Sequence, residues 1–144
     1  MIVPLRAMPV GSIVDAAAAA PDGRAGPASG ELPLGRLTRR PEFLHVAGRG
    51  SRVAVPGLVL QACRRTGEAP DIRLGLTASR KVGGAVVRNR ARRRLREAAR
   101  RILPAHGAPG HDYVLVARRD TATRPWSRLI GDLETALRRL GHWR

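Results

Sequence analysis

Residues 79–101 read SRKVGGAVVRNRARRRLREAARR, and this stretch sets the terms for everything around it. Ten basic residues stand between Arg80 and Arg101, against one acid, Glu97. The spacing predicts a helix from about Ala85 to Ile102, closed by Pro104, a residue that continues a helix poorly. On a helical wheel Val87, Ala91, Leu95, Ala98 and Ile102 fall within an arc of about 80°. Arg88, Asn89, Arg92, Arg93, Arg96 and Arg100 take the opposite side. The apolar stripe requires a layer to bury it, while the guanidinium ridge must face outward. A merely solvated helix face usually mixes signs so that residues four apart attract. Here the like charges repel, which points to a polyanionic partner whose phosphates match the row. Gly83 and Gly84 ahead of the helix suit a tight turn, or free amides that could seat a phosphate at the helix start.

The layer that buries the stripe is legible on both sides. Residues 72–79 (IRLGLTAS) alternate, with Leu74, Leu76 and Ala78 on one face and Arg73, Gly75, Thr77 and Ser79 on the other. Residues 52–63 (RVAVPGLVLQAC) read as extended chain broken at Pro56 and Gly57, and 64–71 (RRTGEAPD) as a hairpin-type connection. Residues 112–118 (DYVLVAR) form a further strand. Pro41 opens an earlier helix carrying Phe43, Leu44, Val46 and Ala47 and stopped by Gly48 and Gly50. Pro125 opens a last helix reaching about Leu140. The order αββ(β)αβα gives an α+β fold, a two-layer sandwich with helices on one side of a small mixed sheet.

Composition sets the remaining bounds. The chain has 144 residues, 27 of them Lys or Arg against 11 Asp or Glu, a formal net charge of +16. Residues 1–31 carry Arg6 and Arg24 against Asp15, Asp22 and Glu31, so the excess lies wholly in the remainder. We divide the chain into a flexible Ala/Pro/Gly-rich extension at 1–33 and a basic domain at 34–144. All basic residues but Lys81 are arginine, a bias that GC-rich coding also produces. No apolar run approaches the roughly 20 residues that span a bilayer, and Pro9 and Asp15 interrupt any secretory core. Cys63 is the single cysteine, which excludes an internal disulfide and a cysteine-based zinc cluster and agrees with a cytoplasmic location. The histidines at 45, 106, 111 and 142 lack metal-ligand spacing, and Trp126 and Trp143 suit packing around the last helix. Carboxylates are too few and scattered for a protein-only, two-metal nuclease.

The string Lys81-Val-Gly-Gly-Ala-Val-Val-Arg88-Asn89-Arg90-Ala-Arg92-Arg93 resembles the RNR signature of the bacterial ribonuclease P protein subunit family. RLTRRPEFLHVAGRGSRV at 36–53 resembles that family's first helix and turn into the sheet. IRLGLTASRK at 72–81 resembles its central strand, and HDYVLVAR at 111–118 the strand after the signature helix. The resemblance spans about residues 34–142.

It implies a left-handed βαβ crossover around the signature helix, against the usual hand. It also implies a non-catalytic protein subunit of a ribonucleoprotein endoribonuclease, in which RNA removes the 5′ leader of precursor tRNA. Arg80, Lys81, Arg88, Asn89, Arg90, Arg92, Arg93 and Arg96 would bind the catalytic RNA. Phe43, Gln61, Arg73, Thr77 and Ser79 would line a cleft for the single-stranded leader. Mg²⁺ would be held mainly by RNA, with no organic cofactor, no membrane and no obligate protein partner. Ala47 and Gln61 stand where some family members carry aromatics, each base–aromatic stack being worth roughly 1–3 kcal/mol. The alternative is a structural RNA-binding protein of ribosomal type. A DNA-binding transcription factor would need a turn before a recognition helix and a dimer seam, and neither is evident.

Overall fold

The computed structural model describes residues 31–67 and 69–144. Its elements are β1 (Leu34–Arg36), α1 (Arg40–Arg49), β2 (Ser51–Val55), β3 (Leu58–Arg64), β4 (Ile72–Thr77), a 3₁₀ turn (Arg80–Val82), α2 (Ala85–His106), β5 (His111–Ala117) and α3 (Trp126–Leu140). The strands make one mixed sheet in the order β1-β4-β5-β3-β2. β4 pairs parallel with both β1 and β5, while β3 pairs antiparallel with β5 and β2. The signature helix α2 is therefore the crossover joining two adjacent parallel strands.

Local chemistry accounts for the ends of the elements. Pro41 occupies the first turn of α1, and the Glu42 carboxylate accepts the N–H groups of Thr38 and Arg39 at 2.9 Å each. Those bonds hold its pKa below the usual carboxylate range. Pro56 and Gly57 form the two-residue loop of the β2–β3 hairpin, whose last pair is Val55 with Leu58. α3 ends on Gly141 in the left-handed region, φ 79°, where glycine pays no steric penalty.

The main core lies between the sheet and two helices. Ala91, Leu95, Ala98 and Ile102 of α2 and Leu129, Leu133 and Leu137 of α3 pack on Leu58, Leu60, Leu74, Tyr113 and Leu115. The alternation read at 72–79 holds, since Leu74 and Leu76 face this layer. A second, smaller cluster on the opposite face joins Leu37, Phe43 and Val46 to Cys63, Val114 and Val116. The expected sandwich thus describes α2 and α3, whereas α1 crosses to the other face. The reason is β5, which is apolar on both sides (Tyr113 and Leu115, Val114 and Val116), so both need cover.

Four further details differ from the sequence reading. β1 precedes α1, a strand of three residues too short to show a period. The 64–71 connection is not a hairpin, because β5 inserts between β3 and β4. α2 runs through Pro104 to His106, since the missing amide costs one bond in the last turn and Gly107 N–H closes on Leu103 O. The packed domain reaches back to Leu32, which is buried and donates to Pro104 O. Residues 1–30 of the proposed extension at 1–33 lie outside the described residues.

Asp112 ties the small face together. Its carboxylate takes both ends of the Arg73 fork at 2.8 Å and Arg65 at 3.0 Å. Arg65 also bonds Asp71, and Arg73 reaches Glu42 of α1 at 3.2 Å. Burial works to raise the Asp112 pKa, but the two guanidiniums outweigh it and hold the group ionised below its usual value. At the far end the C-terminal segment is clasped. Tyr113 Oη accepts the Ala108 N–H at 2.8 Å, so its own proton goes to His142 Nδ1 at 2.7 Å. His142 is thereby the neutral imidazole. His106 stacks on Trp143 at 3.8 Å, and Arg144 donates to the carbonyls of Gly107 and Pro104.

Two outcomes follow for stability. Asp112→Ala should cost about 3 kcal/mol in urea unfolding, because it strands two partly buried guanidiniums. Burial, with His111 beside it, depresses the His142 pKa to about 4 from 6.5. The unfolded chain therefore binds the extra proton, and stability is complete above pH 6.5 and lost as pH falls toward 4. By pH 5 the loss attributable to His142 should be about 2 kcal/mol. Parallel unfolding titrations of wild type and His142→Gln test this: the variant should show a flatter decline between pH 7 and 5.

Candidate nucleic-acid interface

α2 presents its arginines in three groups. Arg94 turns back into the protein and donates to the carbonyls of Thr121 and Arg124, pinning the loop ahead of α3. Burial lowers its pKa, with Arg90 adding to the effect. Arg90 and Arg93 are exposed, and Arg88 is half-buried with its guanidinium on Gly83 O at 3.3 Å. Asn89 accepts from Arg92 at 2.7 Å, which orients that arginine along the helix. Arg92, Arg96 and Arg100, at successive i,i+4 positions, line one side of a groove of about 320 Å³. Its other walls are Phe43, Leu37 and Arg36. Apolar floor and guanidinium rim suit a nucleobase with its phosphate.

The charge on this side is uncompensated. Among the described residues Glu42, Asp71, Asp112 and Asp132 are all paired with Arg65, Arg73 or Arg124 away from the ridge. Glu97 approaches Arg101 at 3.8 Å. No ion pair involves Arg88, Arg90, Arg92, Arg93, Arg96 or Arg100 among the described residues. Wherever the fold itself needs an ion pair an acid is supplied, and the ridge has only that marginal one.

The expected leader residues do not gather in one pocket. On the α1 side of the sheet, register places Arg73 beside Asp112, then Gly75, Val114 and Gln61 in the next row, then Thr77 beside Val116. The Phe43 ring lies on Gly75, where a Cβ would come within 2.5 Å of it. Gln61 and Thr77 therefore flank α1 on the half-covered sheet, and Phe43 serves both the small core and the groove. Arg73 lies there too, but its guanidinium is spent on Asp112 and Glu42. Ser79 stands past the end of β4, where its hydroxyl accepts the Lys81 N–H at 3.3 Å. It lines a separate hollow with Lys81, Arg118 and Arg119. Arg80 and Lys81 are exposed in the 3₁₀ turn beside it.

Arg36, Arg118 and Arg119 are not singled out by the sequence, whereas Arg100 belongs to the ridge read from the helical wheel, though not to the residues carried over from the family signature. Arg36 and Arg119 carry no local signal, because strand order alone brings them to these hollows. Val87, placed on the apolar arc, is 37% exposed: the helix start overhangs the sheet and Ala91 is its first buried residue. Among the described residues no three His, Cys, Asp or Glu side chains are arranged to hold a metal ion, and no helix is long and apolar enough to cross a membrane.

Comparison with known proteins agrees with this architecture. The ribonuclease P protein component of Caulobacter vibrioides is 50% identical over 106 residues, covering 74% of this chain and 70% of that protein. That of Paramagnetospirillum magneticum is 50% identical over 111 residues, covering 75% and 84%, and that of Ruegeria pomeroyi 54% over 106 residues, covering 72% and 84%. The solved RNase P protein of Staphylococcus aureus superposes with a TM-score of 0.65 at 26% identity, covering 76% of this chain and 97% of that one. The Thermotoga maritima RNase P protein gives 0.59 at 26% identity, covering 72% and 96%. The family model for ribonuclease P matches residues 34–141, from β1 to the cap of α3, and with the sheet order and the arginine helix this establishes that the chain belongs to the ribonuclease P protein family.

Proposed function

We propose that this chain works as the non-catalytic subunit of a ribonucleoprotein endoribonuclease, binding the catalytic RNA and the 5′ leader of precursor tRNA. The observation that carries the reading is the uncompensated ridge of α2, held rigid by a buried stripe. Arg80, Lys81, Arg88, Asn89, Arg90, Arg92, Arg93 and Arg96 bind catalytic-RNA phosphates, and counterion release supplies much of the affinity. Arginine forks grip phosphate bidentately, and anchoring on a packed helix spares the ordering cost of flexible tails.

Leader strands lie along the α1 side of the sheet. Phe43 supplies the apolar platform, Gln61 and Thr77 polar contacts, and Arg36 and Arg100 the phosphate contacts, with Ser79 meeting the strand at the hollow past the end of β4. Arg73 acts indirectly, by fixing α1 over the sheet through Glu42. Catalysis is the RNA's: the protein lowers phosphate repulsion and holds leader and scissile site in register. Mg²⁺ would be held mainly by RNA; of the protein's acids, Glu42, Asp71, Asp112 and Asp132 are engaged by arginine. A cytoplasmic location accords with this work on precursor tRNA.

Two experiments test the reading. With catalytic RNA from the same organism, the protein should accelerate precursor-tRNA cleavage at low Mg²⁺, and more so for substrates carrying a 5′ leader. A folded protein that binds RNA without accelerating cleavage would return the assignment to a purely structural RNA-binding role. The triple variant Arg88→Ala/Arg90→Ala/Arg92→Ala should keep its circular dichroism and melting midpoint. Its binding to the catalytic RNA should weaken, and the salt dependence of log K should shallow by about 3. An unchanged affinity would overturn the residue assignment.

A further inference from the structure

The first six residues of α2, Ala85–Arg90, contribute no buried side chain, and burial begins at Ala91. The helix start is a prow that overhangs its own core. Only three large apolar side chains are exposed among the described residues, and two of them, Val86 at 78% and Val87 at 37%, are neighbours on this prow. β-Branched residues are poor choices for a free helix end, where alanine would cost less side-chain freedom. Backbone geometry keeps the pair presented. Gly83 has φ 148°, and a Cβ there would stand 3.0 Å from Val87 Cβ and Cγ1, so the turn folds closely under Val87 and leaves Val86 outermost.

The surroundings select the partner. Arg88 and Arg90 follow the valines on the same helix start, Arg88 resting on Gly83 O at 3.3 Å, and the sequence holds no acid between Asp71 and Glu97. An apolar patch whose charged neighbours on this stretch are all cations calls for a partner that is negative throughout yet offers apolar surface. Folded RNA offers both complements at once, phosphates for the rim and unstacked base or ribose faces for the centre.

We propose that Val86 and Val87 form an apolar contact with the catalytic RNA, seated against unstacked bases or ribose faces while Arg88 and Arg90 hold flanking phosphates. The proposal rests on the function inferred above and adds to it a contact that salt does not screen. Arginine contacts lose strength as counterions compete, whereas the valine contact depends on apolar area removed from water.

The test uses the full chain and ribonuclease P RNA transcribed from the same organism. Val86→Thr and Val87→Thr keep the branched shape and exchange a methyl for a hydroxyl, and the exposure of both sites leaves folding intact, as a melting curve verifies. Each variant should bind the RNA about fourfold more weakly, and the double variant more than tenfold, with the salt slope unchanged. Affinities within twofold of wild type, or a loss accompanied by a shallower salt slope, would overturn the proposal. If the arginine triple variant weakens binding while the threonine variants do not, only the valine contact fails. If none of them changes affinity, the assignment of this helix to catalytic RNA fails with it.

Discussion

A chain with this excess of positive charge can fold only if its few acids are spent where the fold needs them, and Asp112 is the centre of that economy. It sits on β5, the strand inserted between β3 and β4, and its carboxylate is shared by Arg73 of β4 and Arg65 of the connection after β3. Arg73 passes the linkage on to Glu42 at the start of α1. One buried acid thus joins two strands, a loop and a helix on the smaller face. Breaking such a network costs more than its net contribution, since each stranded charge keeps its desolvation penalty. The parallel β4–β5 pair it braces is also the pair that α2 must span.

The arginines divide accordingly. Arg65, Arg73, Arg94, Arg118, Arg124 and Arg144 hold carboxylates or backbone carbonyls and belong to the architecture. Those on the outer side of α2 meet one acid only, at the margin of bonding distance. Their mutual repulsion is tolerated because Leu95, Ala98, Ala99, Ile102 and Leu103 bury the inner side completely or nearly so. A helix free to fray would relieve the repulsion by melting, whereas a packed one stores it. The same logic explains why Arg94, in the middle of the basic run, is unlike its neighbours: its helical phase points it at the 121–124 loop.

Several features were readable without coordinates because they obey short periods. The 3.6-residue stripe of α2 and the two-residue alternation of β4 both hold, and proline and glycine mark α1, the β2–β3 loop and α3. The failures share a cause, which is that local patterns carry no strand order. β1 is too short for a period, β5 reads the same whether central or at an edge, and the 64–71 turn resembles a hairpin until a strand is found inside it. Val87 follows the wheel in phase but lies beyond the end of the surface that the wheel assumes. Alternation groups Arg73 with Thr77 on one face, as the register bears out, yet only the structure shows the Arg73 charge already spent.

Sequence by itself determined the helix, its two-sided chemistry, the strands that flank it and the polyanionic character of the partner. These rest on residue type and spacing along one chain, which folding cannot alter. Tertiary structure decided which face α1 covers, which arginines are free, and that Phe43 meets Arg92, Arg96 and Arg100 across a common groove. Those juxtapositions join residues about thirty to sixty positions apart, fixed by the order β1-β4-β5-β3-β2 and by a buried carboxylate whose partners no local pattern names.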